Sequence, residues 1–305
     1  MKKILRYLFS CMLFFTSIGV YCTNRLMYMK KKEENFIYNR ELEAGRINPV
    51  NYEEIHKQEL KILSPYGYYL TAVIVEPKKN NRYIIISHGV TENKINSIKY
   101  MNLFLERGFN VLIYDHRRHG QSGGKTTSFG YYEKDDLKAV VDWVRKEKGE
   151  NILLGIHGES MGAATMILYA GMLEDGADFY IADCPFSDFS EEISYLISSE
   201  IKLPAKMILP IADLFLKIRE KYSIRDVSPI RVIDKITKPM LFIHSEKDDF
   251  ILSEMTKKLF EKKKGPKKLL IAANGMHAQS YNENKEVYEK AVDEFLAEYV
   301  FKTID

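Results

Sequence analysis

Apolar residues along this chain follow two recurring patterns. Short apolar runs, such as 83–87 and 240–244, are typical of strands that are buried on both faces of a sheet. Between these runs lie longer segments with apolar residues at helical spacing. The alternation predicts repeated strand–helix–strand units, and hence an α/β domain with a mostly parallel central sheet.

The predicted elements begin with a hairpin, whose strands at 59–63 and 68–76 flank Pro65, Tyr66 and Gly67. Further strands are predicted at 83–87, 110–114, 151–157, 179–183, 240–244 and 268–272. Helices are predicted near 97–107, 133–148, from 163 onward, 253–262 and 284–301.

One segment interrupts the alternation. Between 184 and 239 the pattern is helical and contains no predicted strand, so we interpret about 186–232 as an insertion. Within 201–220 the charged residues occupy one narrow stripe of the helix and apolar residues fill the rest. Two interpretations remain open: a lid that covers an acyl-binding pocket and faces lipid, or a segment packed on the sheet.

The N-terminus carries a separate signal. Lys2, Lys3 and Arg6 precede an uncharged apolar run at 7–24, which predicts a membrane anchor or an export signal. The sequence around Cys22 lacks the small residues of a cleavage site, so a retained anchor at 1–29 is favoured, followed by a polar tether at 30–50 and the domain at 51–305. We expect the domain to lie outside the cytoplasm, with a secreted protein as the alternative.

Charge and cysteine content exclude several classes. A net charge of +3 over 305 residues is too small to indicate nucleic acid as a partner. Three cysteines provide no disulfide framework, and Cys184 fits a small buried residue. Because the seven histidines are scattered and no CxxC pair occurs, we expect neither a metal nor another cofactor.

The most informative stretch is Gly158-Glu159-Ser160-Met161-Gly162, which lies between a predicted strand and a predicted helix. In this context G-x-S-x-G forms a sharp turn that exposes a nucleophilic serine, and the glycines avoid backbone collisions. The N–H of Met161 at the helix start can stabilise a developing negative charge. We predict Ser160 as the nucleophile and Met161 as one donor of the oxyanion hole, against the alternative of a plain Gly-rich loop.

A serine nucleophile needs a base and an orienting acid, and both occur later in the chain. Asp248 follows the strand at 240–244, and His277 follows the strand at 268–272 in a loop before the last helix. Both therefore lie at the same rim of the sheet as Ser160. Asp249 is the alternative acid.

From about residue 59 to the C-terminus the chain resembles the α/β-hydrolases, in which the triad follows the order Ser, Asp, His. The 87–90 segment, SHGV, resembles their oxyanion segment, which implies the N–H of Val90 as the second donor. HSEKDD at 244–249 and GMHA at 275–278 resemble their acid and base motifs and place the acid on Asp248. The loop 115–122 resembles D-x-R-G-x-G-x-S, with Arg118 where the family has Gly.

Within the superfamily, the anchor, the ADCPFSD segment at 182–188 and the compact insertion most resemble the BEM46-like and ABHD13-like serine hydrolases and their bacterial relatives. The resemblance implies an α/β-hydrolase fold and hydrolysis through an acyl-enzyme, without a cofactor. We expect a hydrolase of carboxylic esters, acting on acyl or lipid-like substrates or on small esters. A serine peptidase of the same fold is the alternative, and a non-catalytic binding protein is a third hypothesis.

Overall fold

The computed structural model describes residues 1–47, 49–202 and 204–303. Asn48 of the predicted tether, Leu203 of the predicted insertion, and Ile304 and Asp305 at the C-terminus lie outside the described residues.

The centre of the domain is an eight-stranded sheet in the order β1-β2-β4-β3-β5-β6-β7-β8. Its strands are β1 (Lys57–Leu63), β2 (Tyr69–Val75), β3 (Arg82–Ser87), β4 (Asn110–Tyr114), β5 (Leu153–Glu159), β6 (Phe179–Asp183), β7 (Met240–Ser245) and β8 (Lys267–Ala272). The first hairpin is antiparallel and β2 pairs antiparallel with β4, whereas β3 to β8 run parallel. The predicted α/β class is confirmed, although β5 extends to Glu159 because Gly158 and Glu159 still pair with β6.

Helices cover both faces of this sheet. They are α1 (Lys2–Met27), α2 (Glu34–Glu43), α3 (Pro49–Glu54), α4 (Ile98–Glu106), α5 (Glu133–Lys148), α6 (Met161–Met172), α7 (Phe189–Leu196), α8 (Ala205–Glu220), α9 (Ser253–Lys262), α10 (Ser280–Glu283) and α11 (Lys285–Tyr299). One apolar core lies between the sheet and α5, α6 and α9. The other lies between the sheet and α4 and α11. The central strands β3, β4 and β6 are buried on both faces, as their continuous apolar runs predict.

The insertion between β6 and β7 is helical in its described part. It contains α7, a π-helical turn at Ile197–Ile201, α8, and short 3-10 turns at Ile224–Asp226, Pro229–Arg231 and Ile233–Lys235. Asp188 caps α7 by accepting hydrogen bonds from the N–H groups of Ser190 and Glu191, at 2.9 and 3.2 Å. Phe189 stacks on Phe129 of the domain, with ring centroids 4.4 Å apart. The cap and the stacking together hold the start of the insertion over the catalytic rim.

The segment predicted as a tether has a different structure. Its described part includes α2, which packs on the domain because Ile37 is fully buried and Arg40 donates hydrogen bonds to both carboxylate oxygens of Glu92, at 3.0 and 2.9 Å. The polar and charged residues of this segment predict a solvated tether, but Arg40 and Arg46 pair with the buried carboxylates of Glu92 and Glu41. This segment therefore joins α1 directly to the domain.

Candidate active site

The turn between β5 and α6 holds Ser160 in an unusual backbone conformation, with φ 55° and ψ −117°. A Cβ on Gly158 would lie 2.5 Å from the carbonyl oxygen of Gly162, and a Cβ on Gly162 would lie 2.1 Å from that of Ser87. Neither position tolerates a side chain without moving backbone. The N–H of Ser160 is held by the carbonyl of Asp183 at 2.8 Å, so the turn directs the Ser160 side chain away from the strand pair.

The three residues predicted as a triad lie within hydrogen-bond distance of one another. Ser160 Oγ is 2.8 Å from His277 Nε2, and His277 Nδ1 is 2.8 Å from Asp248 Oδ2. A carboxylate only accepts hydrogen bonds, so Nδ1 carries the hydrogen and Nε2 is left to accept the proton of Ser160. This is the tautomer that general-base catalysis requires.

The carboxylate of Asp248 is held by more partners than sequence reasoning identified. Its Oδ1 accepts the N–H groups of Phe250 and Ile251 at 3.0 and 2.9 Å, and His244 Nε2 lies 3.1 Å from its Oδ2. Although burial acts to raise it, the hydrogen bonds from His244 and His277 lower the pKa of Asp248 well below its usual range. The sequence HSEKDD could have identified this contact, because its first residue is His244, which lies four residues before Asp248.

Asp249 has a different environment. Its side chain is exposed, and the Tyr195 hydroxyl donates to its backbone carbonyl at 3.0 Å. The geometry therefore places Asp248, and not its neighbour, beside His277.

Both predicted oxyanion donors lie beside Ser160. Met161 is the first residue of α6, so its N–H has no intrahelical acceptor. Val90 follows Gly89, and a Cβ on Gly89 would lie 3.5 Å from the Cβ of Ser160, which shows how closely this loop approaches the nucleophile. The two N–H groups belong to the segments on either side of the serine.

Three further histidines and Asp115 lie near the rim and have structural contacts. His88 Nε2 accepts the N–H of His116 at 3.0 Å, and His119 Nε2 accepts that of Thr91 at 3.2 Å. Burial lowers the pKa of all three histidines, to about 3 for His119, so they are neutral. Asp115 organises its loop by accepting hydrogen bonds from the N–H of Lys94 at 2.8 Å and of Gln121 at 3.0 Å, as expected of a turn residue.

One group of potential metal ligands includes the site itself. Ligand atoms of Cys184, Asp248 and His277 lie within 4.8 Å of one another. Burial raises the pKa of the Cys184 thiol well above its usual value, which keeps the thiol protonated and a poor ligand. The carboxylate and the imidazole are bonded to each other, so we continue to expect a reaction without a metal.

Ser160 and Val90 line a large apolar cavity of about 680 Å³. Its walls come from three regions: the sheet rim, the insertion and, unexpectedly, α1. The insertion contributes Phe189, Ile193, Leu196, Ile197, Ile208 and Ala212. Among the described residues that line it, the charged ones are Arg25 and Glu192. The apolar residues that the insertion contributes to this wall support its interpretation as a lid. Leu214 of α8 is 54% exposed and is not among the lining residues.

A second cavity of about 440 Å³ meets the first at Ser160 and Val90 and is more polar than the first, so we call it the polar cavity. His277 and Gln279 line it, and its wall carries charged residues on and beside α2, on α4, in the loop after β3 and at the end of β5: Lys32, Arg40, Glu41, Arg46, Glu92, Lys99 and Glu159. These charges are paired: Arg46 Nε lies 2.6 Å from Glu41, and Lys99 Nζ lies 2.9 Å from Glu159. Ser160 thus lies at the junction of an apolar and a polar space.

A buried polar network lies directly behind the nucleophile. Glu159 accepts hydrogen bonds from Tyr100 at 2.7 Å and Asn96 at 2.9 Å, in addition to its ion pair with Lys99. Burial acts to raise the pKa of Glu159, but the charge of Lys99 and the hydrogen bond from Tyr100 lower it below its usual value. Burial and the charge of Glu159 raise the pKa of Asp183 to about 6. Sequence reasoning missed this network because Glu159 occupies a variable position of the motif.

Comparisons with known proteins identify the family. A family model described as X-Pro dipeptidyl-peptidase (S15 family) matches residues 27–200. The chain belongs to this family of α/β-hydrolases. The uncharacterized protein YqkD of Bacillus subtilis is 52% identical over 97% of each chain. The superfamily resemblance inferred from the motifs is confirmed, and the chain is a hydrolase.

Solved structures share the fold. Esterase Pf2001 of Pyrococcus furiosus superposes with a TM-score of 0.68, at 23% identity, over 83% of this chain and 96% of that chain. The acylaminoacyl peptidase of Pyrococcus horikoshii superposes with a TM-score of 0.63, at 18% identity, over 83% of this chain and 43% of that one. Similar folds therefore occur in an esterase and in a peptidase.

Proposed function

We propose that this protein is a serine hydrolase of carboxylic esters that join an apolar acyl chain to a polar alcohol. The observation that carries the proposal is the position of Ser160 at the junction of the two cavities. An acyl chain fits the apolar cavity, and burial of each methylene contributes about 0.8 kcal/mol. The paired charges of the polar cavity offer both donors and acceptors to a hydroxyl-bearing leaving group.

In the proposed reaction, Ser160 Oγ attacks the ester carbonyl while His277 Nε2 accepts its proton. Asp248 holds the imidazole and stabilises its positive charge. The N–H groups of Met161 and Val90 stabilise the oxyanion. His277 returns the proton to the alcohol, which leaves through the polar cavity, and water then hydrolyses the acyl-enzyme by the same steps.

We further propose that α1 anchors the protein in a membrane, with the domain outside the cytoplasm. The helix is long and apolar enough to span a bilayer. Its first half is exposed to the surroundings, including Leu8, Phe9 and Met12. These side chains are more than half exposed, and a bilayer would cover them.

A peptidase is the second candidate, because one observation favours it. Glu192 is buried and lies in the lining of the apolar cavity, where a carboxylate could pair with the free amine of a peptide substrate. The matching family and the Pyrococcus horikoshii neighbour carry peptidase names. Against this candidate, most of the cavity wall is apolar, which suits an acyl chain better than a peptide.

A paired substrate panel tests the proposal. We expect p-nitrophenyl esters to be hydrolysed with kcat/KM rising from acetate to dodecanoate, and aminoacyl p-nitroanilides to be poor substrates. Ser160→Ala should fold normally and lose both this activity and labelling by a fluorophosphonate probe, with wild-type protein as the matched control. Preferred cleavage of free-amine anilides, lost in Glu192→Gln, would favour the peptidase; labelling that survives Ser160→Ala would place the nucleophile elsewhere.

A further inference from the structure

We propose that α1 is part of the substrate-binding site and that the acyl chain reaches Ser160 from the membrane leaflet in which α1 lies. One face of α1 forms a wall of the apolar cavity, so the cavity is incomplete without it. The inference rests on the proposed hydrolysis of acyl esters. It assigns to α1 a role in binding and chain-length selection that an anchor does not have.

The cavity-lining residues of α1 lie on one face of the helix. They are Phe14, Ser17, Ile18, Tyr21, Cys22, Arg25 and Leu26. Their spacing of three and four residues is that of a single helical face. The opposite walls are the insertion and the sheet rim with Ser160, so a chain in the cavity contacts α1 and the catalytic domain at once.

Specific contacts fix α1 against the insertion. Gly19 packs against the ring of Phe215, and a Cβ on Gly19 would lie 2.1 Å from Cδ2 of that ring. Arg219 of α8 donates a hydrogen bond to Oδ1 of Asn24 at 2.8 Å and another to the buried hydroxyl of Thr23. The helix therefore has a defined position and rotation relative to the lid.

The loop between β4 and α5 holds the end of α1 as well. The N–H of Thr127 donates to the carbonyl of Met27 at 3.0 Å, and Arg118 Nη1 donates to the carbonyl of Met29 at 2.9 Å. Arg118 has φ 65°, a conformation that favours glycine and costs about 1 kcal/mol in other residues. Its contact with Met29 gives a reason for a long side chain at this strained position.

The depth of the lining face follows from charge positions. Residues 7–24 are uncharged between Arg6 and Arg25, and as a helix they extend about 27 Å, close to the roughly 30 Å hydrocarbon core of a bilayer. The lining face from Phe14 to Cys22 occupies the half of this span nearest the domain, which corresponds to one leaflet. On α8, Met207 and Ile218 are 70% and 57% exposed and extend the apolar surface beside it. A lipid ester can therefore enter without its acyl chain crossing water.

A matched pair of variants of the full-length protein in phosphatidylcholine vesicles tests the inference. Ile18→Trp narrows the cavity, whereas Leu13→Trp adds the same side chain on an exposed, non-lining position. We expect the ratio of kcat/KM for dodecanoate over acetate esters to fall about tenfold in Ile18→Trp and to stay unchanged in Leu13→Trp. An equal ratio in both variants would overturn the inference. If Ile18→Trp does not fold, Cys22→Phe tests the same wall.

A binding readout separates this inference from the proposed reaction. In Ser160→Ala, a dodecanoyl ester with a diazirine at its chain end should crosslink to peptides covering 14–22 and to the insertion. Crosslinks at both places with no ester hydrolysis by the wild type would refute the reaction and retain the binding site. Crosslinks to the insertion without any to α1 would refute the role of α1.

Discussion

The two cavities that meet at Ser160 differ in composition and in the segments that build them. The apolar cavity takes most of its wall from α1 and the insertion, which lie outside the sheet. The polar cavity is built from α2, α4 and the loops at the rim, and its charges form buried pairs. The difference between the cavities supports the proposal that Ser160 cleaves an ester between an apolar acyl part and a polar alcohol part.

The largest expected effect on activity comes from substituting Asp248, with its neighbour Asp249 as the comparison. Asp248→Asn should fold but leave His277 in the wrong tautomer, because an amide can donate to Nδ1, with a loss of kcat of up to roughly ten-thousand-fold. Asp249→Asn should cost far less, since that exposed side chain has no role in the hydrogen-bond chain. Steady-state kinetics on one ester measures both, and the opposite ranking would move the acid to Asp249.

A substitution that breaks a buried ion pair in the wall of the polar cavity should lower the free energy of unfolding. Lys99→Met leaves the buried carboxylate of Glu159 without its cation, and breaking such a pair costs about 3–5 kcal/mol in the free energy of unfolding. Lys138→Met, which removes a surface pair with Asp142, should cost about 0.5 kcal/mol or less. Urea unfolding compares the two variants. Adding Glu159→Gln to Lys99→Met should recover part of the lost free energy of unfolding. Equal free energies of unfolding for Lys99→Met and Lys138→Met would contradict the role of Lys99 as the stabilising partner of Glu159.

A substitution in the wall of the apolar cavity should instead change the preference for long over short acyl esters. Ile208→Asn removes apolar contact with the acyl chain and should lower kcat/KM for dodecanoate esters about tenfold relative to acetate esters. Leu214→Asn is the control, because Leu214 lies on the exposed face of the same helix. Loss of selectivity in the control alone would mean that the lid binds substrate through its outer surface.

The sequence predicted the catalytic rim better than the two cavities, and the reason is physical. Ser160 lies in a turn whose glycines are required by backbone contacts, so the motif determines the geometry. Phe14 and Ile18 are apolar whether they face lipid or a cavity, so composition could not distinguish these roles. The partner of Glu159 is Lys99, on α4 and far away in sequence, and only the fold brings them together.

The polar network behind Ser160 should make stability depend on pH. Burial raises the pKa of Asp183 from about 3.8 unfolded to about 6, so the folded state binds more protons than the unfolded state between these pH values. Stability from this group is therefore full below pH 3.8 and is lost as pH rises through 6. Asp183→Asn should remove this contribution, and at pH 8 should be about 2 kcal/mol more stable relative to wild type than at pH 4. Urea unfolding at both pH values measures the difference; a pH-independent difference would contradict the shift.

The central claim is that Ser160 accepts an apolar acyl chain from an ester. Rapid acid quenching of the protein with p-nitrophenyl dodecanoate, followed by proteolysis and mass spectrometry, tests it directly. We predict a dodecanoyl group on the peptide that contains Ser160. In His277→Gln this acyl-enzyme should accumulate only if the substitution slows deacylation more than acylation. A wild-type sample that turns over the ester while the acyl group is found on another residue would contradict the claim.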